Sequence, residues 1–265
     1  MEWVFVTATF GSDDFLASGR RILSQARKMN LFSDYILVND TNLKDYAPVI
    51  SQKYKNYLNS KTTGYGYYSW KPEIIFRLLQ LHPSKGICYV DAGCEINYNF
   101  IALCRFKLWQ GKAAKVGYLV HELNYSESTY TKKEVLNKLS AGPEMVNSNQ
   151  IQATWFMLSG DVGLEIAKLW FQFSSADISM IDDETKIQQD PHFLENRYDQ
   201  SLFSLVIKKL GFSPNCRSKC FRPLTFKSKI NCFFNPIWSA RNRSGKSIKK
   251  KNLLPNNVMD GILTL

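Results

Sequence analysis

Residues 86–97, GICYVDAGCEIN, carry the clearest structural signal in the chain. The segment is apolar through Ile87, Tyr89 and Val90 and then passes at once into Asp91, Ala92 and Gly93. A short apolar run rich in β-branched and aromatic residues, bounded by glycines, reads as a strand covered on both faces of an α/β sheet. Asp91 then stands at the carboxyl end of that strand. In open α/β sheets this is the ligand-binding edge, because the loops diverge there and neighbouring helices direct their amino ends toward it. Taken alone, Asp-Ala-Gly reads equally well as an aspartate capping a turn.

The flanking sequence favours the sheet. Upstream, Trp3 to Thr9 reads as a first strand, Phe15 to Met29 as a helix with Leu16, Ile22, Leu23 and Ala26 on one side, and Tyr35 to Asn39 as a second strand. Residues 64–80, GYGYYSWKPEIIFRLLQ, form a Gly-Tyr loop running into a helix, with Pro72 in the first turn where proline is tolerated. Downstream, Thr131 to Leu139 reads as a short helix and Gln152 to Leu158 as a buried strand. Val162 to Phe173 and Asp199 to Leu210 read as helices. Alternation at this spacing predicts an α/β fold, a mixed and mostly parallel sheet flanked by helices. The expected organisation is one domain over residues 1–245, followed by a basic C-terminal tail, 246–265.

The chain has 265 residues, 45% apolar and 14% aromatic, enough for a substantial core. No segment has the eighteen or so uninterrupted apolar residues of a membrane span, and MEWVFVTATF lacks the basic start of a signal peptide. A cytoplasmic location is therefore expected. The six cysteines lack paired metal spacing and read as reduced thiols. Charge is uneven: the net value is +11, and between Ser201 and Met259 there are thirteen lysines and arginines and no acid. Such a block suits an anionic partner: a phosphorylated substrate, an anionic membrane surface or nucleic acid. A solvated basic face is the plainer alternative.

Four stretches hold residues that a bare scaffold does not require. Thr7, Ala8 and Thr9, followed by Gly11, end the first strand in small side chains that leave room for a planar ligand. The stretch 64–72 packs tyrosines and Trp70 around two glycines and ends in Lys71, which at a helix start can approach a phosphate. Asp91 and Glu95 have a spacing that suits a common divalent cation, Mg²⁺ or Mn²⁺, neutralising a diphosphate leaving group; Asp91 is the stronger candidate, and the loop between them decides whether Glu95 turns back to the same site. Residues 192–205, HFLENRYDQSLFSL, set Asp199 and Gln200 at the start of an amphipathic helix, where a carboxylate can act as a base or simply cap the helix.

Taken together, GYGYYSWKP (64–72), YVDAGCEIN (89–97), ENRYDQSLFSL (195–205) and PIWSARNR (236–243) resemble the bacterial glycosyltransferases of surface-polysaccharide (capsule and lipopolysaccharide O-antigen) synthesis. The signatures of that family run approximately GYGYWxWKP, YLDAGC, HRHDQSxFS and PIxASR. The resemblance spans residues 1 to about 245. It implies a transferase of GT-A type that moves a hexose from a UDP-sugar to a saccharide acceptor, one carried on a lipid diphosphate. Asp91 then takes the place of the metal- and nucleotide-binding aspartate. Thr7, Ala8, Thr9, Trp70, Lys71, Ala92 and Gly93 surround the donor, with Arg241 and Arg243 as phosphate clamps. Asp199 is the catalytic carboxylate, and Gln200 faces the anomeric carbon if the reaction retains configuration. The sequence departs from the family in Ala92-Gly93, where a second metal-binding aspartate is common, and in Asn196 and Tyr198, where histidines are usual. From another class, a nucleic-acid-binding protein using the basic C-terminal segment is the rival reading.

Overall fold

The computed structural model describes residues 1–217 and 232–246. Ten strands are present in this part: β1 (Glu2–Ala8), β2 (Asp34–Val38), β3 (Lys85–Val90), β4 (Glu95–Ile96), β5 (Tyr118–Leu119), β6 (His121–Ser126), β7 (Asn149–Ile151), β8 (Trp155–Leu158), β9 (Cys216–Arg217) and β10 (Ile237–Trp238). The central sheet has the order β2-β1-β3-β8-β5. β1 runs parallel to both β2 and β3, whereas β8 pairs antiparallel with β3 and β5. The expected α/β class, with a mixed and mostly parallel core, is therefore present.

Side-chain alternation explains why both faces are covered. Trp3 and Phe5 of β1, with Cys88 and Val90 of β3, face the helices Asp13–Met29 and Phe100–Val116 through Ile22, Ala26, Phe106 and Ala113. Val4, Val6, Ile87 and Tyr89 face the opposite way. They pack with Ile74 and Leu78 of helix Trp70–Leu81, Trp170 of helix Gly160–Ala176 and Phe203 of helix Tyr198–Lys209. An apolar run buried on both sides is what the sequence of β3 requires.

The chain leaves β1 for β2 on one side and returns to β3 on the other. The carboxyl ends of β1 and β3 therefore lie at the topological switch point, where the connections part to opposite sides and doubly wound sheets form the crevice that binds ligands.

Three features differ from the sequence expectation. The strand expected over 152–158 begins only at Trp155, while Asn149–Ile151 belongs to a separate three-stranded sheet with β6 and β9. The helix Phe100–Val116 has no counterpart in the sequence reading. Its inward residues are Ala102, Phe106, Gln110 and Ala113, but Phe100 and Leu108 point outward, and apolar residues on both faces erase the periodicity. Cys232 is disulfide-bonded rather than reduced, while Cys88, Cys94 and Cys104 are free thiols.

Candidate active site

The site is built around one buried ammonium. Lys71 is the second residue of helix Trp70–Leu81, and its Nζ lies 2.7 Å from Asp199 Oδ2 and 3.3 Å from Asp91 Oδ1. The rings of Tyr68, Trp70 and Tyr89 surround it, with centroids 5.2, 5.8 and 5.0 Å from Nζ. The Tyr89 hydroxyl donates to Asp91 Oδ1 at 2.8 Å, and Nζ also donates to Ala153 O at 3.3 Å. Asp91 is anchored through its backbone, its N–H donating to Thr154 O and its carbonyl accepting from Cys94 N. The Asp199 side chain is 7% exposed and that of Asp91 32%, so one carboxylate is buried and the other opens to the crevice.

Two carboxylates share one ammonium, and burial is uneven between them. Burial raises the Asp199 carboxyl to about 6, with Lys71 opposing and the Asp91 charge reinforcing the rise. Burial alone disfavours the Lys71 ammonium, but Asp199 and Asp91 together overcome that and raise its pKa, so the lysine stays charged. The cluster is one charge short of neutral when both carboxylates are ionised. It is therefore set to accept a proton or a cation near neutral pH.

Unusual backbone gathers at the same place. Among the described residues, seven that are not glycine have positive φ, and five lie in the motif stretches: Tyr65, Tyr67, Tyr68, Tyr198 and Arg241. Left-handed backbone at a tyrosine is strained and persists only where packing fixes it, which is characteristic of ligand sites. The packing is visible. Tyr67 stacks on Tyr198 with centroids 5.8 Å apart, and Tyr68 lies 6.0 Å from Tyr198. The Tyr68 ring sits so close over Gly64 that a Cβ there would fall 2.2 Å from it. The tyrosines thus tie the loop before Lys71 to the residue before Asp199.

Arg21, which sequence reading passed over, holds the loop that follows Asp91. Its Nη2 donates to Ala92 O (2.6 Å), Cys94 O (2.9 Å) and Asn242 O (3.2 Å), and its Nη1 donates to Ser244 O (3.0 Å) and pairs with Glu95 at 3.1 Å. Asn242 N in turn donates to Gly93 O at 2.8 Å, which brings the PIWSARNR stretch against Asp-Ala-Gly. The loop does not turn Glu95 back toward Asp91. Glu95 is buried, and its carboxylate takes Arg21, Gln25 Nε2 and Asn242 Nδ2.

The other expected residues occupy distinct places. Thr7, Ala8 and Thr9 are buried at the end of β1, with Thr9 against Gly19, where a Cβ would meet its Cγ2 at 2.7 Å. Beyond them the crevice has a rim not anticipated from sequence. Gly11 N donates to Asp40 Oδ2 just past β2, and Phe10 stacks on Tyr65 at 4.9 Å. Gln200 is half-buried, donating to Gln150 Oε1 at 2.9 Å and accepting from Ala153 N at 3.4 Å. Arg241 and Arg243 are exposed; the Arg241 backbone adjoins Gly93, and the Arg243 guanidinium lies 5.7 Å over Phe15. The expected basic tail, beyond Lys246, lies outside the described residues.

Among the described residues no three histidine, cysteine, aspartate or glutamate side chains gather to hold a metal ion. Asp91 Oδ1 is already engaged by Lys71 and Tyr89. Asp91 is the one carboxylate of this cluster that opens to the outside and could be offered to a divalent cation. No helix among the described residues is long and apolar enough to cross a membrane.

Several solved structures are similar over most of the chain at low identity. Mouse xyloside xylosyltransferase 1 in its apo form is 11% identical with a TM-score of 0.46, the match covering 94% of this chain and 100% of that one. A glycosyltransferase involved in glycosylation of the major capsid of PBCV-1 is 10% identical with a TM-score of 0.47, covering 98% and 100%. The apo bifunctional glycosyltransferase WbbM is 9% identical with a TM-score of 0.46, covering 91% of this chain and 46% of that one. No family model matches the chain, and no curated protein matches it in sequence.

Proposed function

We propose that this protein is a nucleotide-sugar-dependent glycosyltransferase that moves a hexose from a UDP-sugar to a saccharide acceptor carried on a lipid diphosphate, in surface-polysaccharide synthesis. One observation carries the reading: the four stretches that resemble the glycosyltransferase signatures, far apart in sequence, meet at the switch-point edge. Lys71 bridges Asp91 and Asp199, and Asn242 is bonded to Gly93.

The donor's uracil and ribose lie across the ends of β1 and β2, between the Phe10–Tyr65 pair and Asp40, above Thr7, Ala8 and Thr9. Its diphosphate points toward Asp91, Ala92 and Gly93, with Arg241 and Arg243 at the rim; guanidinium is always charged and pairs with oxyanions in bidentate fashion. A divalent cation bound at Asp91 would neutralise the leaving diphosphate. Asp199 acts as the base. As the acceptor oxygen bonds to the anomeric carbon, the acceptor hydroxyl gives its proton to Asp199. The bond to the β-phosphate oxygen breaks, and its electron pair leaves with UDP. Lys71 stays protonated and steadies both carboxylates. A single displacement of this kind inverts the anomeric centre.

The decisive experiment is UDP release from a panel of UDP-sugars, together with thermal shifts in UDP and in single-stranded oligonucleotide. Release from one UDP-hexose, lost in Asp91→Asn, is the expected result. Stabilisation by the oligonucleotide alone, with no release from any sugar nucleotide, would replace this reading with nucleic-acid binding.

A further inference from the structure

The helix Phe100–Val116 leaves directly from the strand pair that follows Asp91, and its outward face has no role in the crevice. Phe100 is 80% exposed and Leu108 74%, two turns apart, or about 12 Å along the axis. The exposed Cys104 lies between them, so the three form one apolar line at i, i+4 and i+8. At 100° per residue, Lys107 falls on one flank of that line and Lys115 near its carboxyl end, both exposed, while Lys112 on the other flank donates from Nζ to Asn215 O at 2.6 Å. No acidic residue occurs from Ile96 to His121. Phe234, 40% exposed, adjoins this face, its carbonyl accepting from Arg105.

We propose that this helix face docks the protein on an anionic lipid bilayer, with Phe100 and Leu108 entering the headgroup boundary and Lys107 and Lys115 meeting lipid phosphates. A helix with an apolar line between lysines lies in the membrane interface, with its apolar side down and its ammonium groups reaching out to the headgroups. Charge complementarity selects this partner. A second copy of the chain docked face to face would set lysines against lysines, a juxtaposition that costs association free energy. This inference does not depend on the sugar-transfer reading, and it is separate from any contribution of the C-terminal lysines.

The test is co-sedimentation with vesicles of phosphatidylcholine containing about one third phosphatidylglycerol, a composition that gives the surface a negative potential. The protein should bind these vesicles, release in high salt and bind pure phosphatidylcholine far more weakly. Lys107→Gln with Lys115→Gln should weaken partitioning about fivefold per lysine, and Phe100→Ser with Leu108→Ser by about tenfold or more. These side chains are exposed, so melting temperatures should stay unchanged. Changing Lys246, Lys249, Lys250 and Lys251 to glutamine should leave the Phe100/Leu108 effect in place. The proposal is overturned if the Phe100→Ser/Leu108→Ser protein binds vesicles like the wild type. It is equally overturned if sedimentation velocity shows a wild-type dimer that this variant abolishes.

Discussion

Two buried cations lie on either side of the Asp-Ala-Gly turn, and they are built to opposite ends. Arg21 pairs with one carboxylate, Glu95, and its two Nη atoms are spent on four backbone carbonyls from both sides of the turn. Lys71 pairs with two carboxylates, one of them open to the crevice. Among the described residues the first cluster matches one cation to one carboxylate and is buried, so it fixes geometry. The second carries a surplus negative charge in a poorly solvated place, so it can bind a cation or move a proton. Burial of a charged group is therefore not the mark of function; an unmatched buried charge at a ligand edge is the more informative one.

The largest contrast should come from the two site carboxylates. Asp91→Asn and Asp199→Asn should each lower transfer by about 100-fold or more, because each removes an interaction with charge or a proton that develops in the transition state. The effect of Asp199→Asn on folding should differ in sign from that of an ordinary lost ion pair. The folded pKa of Asp199 is raised above its unfolded value, so the folded state holds its proton more tightly, and ionisation of the group costs stability. That cost is absent below about pH 4 and fully present above about pH 6. Asp199→Asn should therefore melt no lower than wild type at pH 7.5, and its advantage should shrink as pH falls to 4.5. A large loss of melting temperature at pH 7.5 would make Asp199 a structural group like Glu95.

Arg21→Leu is the reverse case. It should cost about 3–5 kcal/mol in denaturant unfolding, the range for removing one partner of a buried pair. The Asp91 turn and the 242–244 segment would also lose their common anchor. Whatever protein remains folded should still show the wild-type pH dependence. If Arg21→Leu instead unfolds like wild type but loses UDP binding, the arginine is a ligand for the donor and the division between the two clusters fails.

The two clusters also differ in how far sequence revealed them. Asp91 was legible because a charged residue ends an apolar strand abruptly, and Asp199 because it opens an amphipathic helix within a motif. Their union through Lys71 was not, because a lysine at a helix start reads as a partner for a phosphate, whereas here three rings bury it and two carboxylates from distant segments keep it charged. Arg21 was hidden for a different reason. It lies in an ordinary helical pattern, and its partners are backbone carbonyls from residues 92, 94, 242 and 244, which leave no trace in residue type. The order of strands and helices was legible where alternation was strict. It failed at Phe100–Val116, where apolar residues on the outward face imitate core.

A smaller effect tests the surplus charge itself. If Asp199 accepts the proton, the acid limb of kcat should fall with an apparent pKa of about 6, belonging to the Asp91–Lys71–Asp199 cluster as a whole. Lys71→Met removes the cation that opposes the rise. It should move the limb of any residual activity to higher pH, because the Asp199 carboxyl then favours protonation more strongly. A limb that stays near pH 4 in the wild type would place the essential carboxylate in water rather than in this cluster.

Gln200 should give the smallest change, and its size separates two roles. Its amide is held at both ends, donating to Gln150 and accepting from Ala153, whose carbonyl also receives Lys71. Acting from there, Gln200 keeps the end of the 150–153 segment at a fixed distance from Asp199, as a positioning residue. Gln200→Ala should then lower kcat by about tenfold or less, the loss expected from slight misplacement of a reacting group, with the pH limb unmoved. Gln200→Glu keeps the shape but adds a negative charge beside a cluster already short of positive charge, so it should shift the acid limb upward. A fall as large as that of Asp199→Asn, accompanied by a change in the anomeric configuration of the product, would put Gln200 on the reacting face of the sugar and make the displacement a retaining one.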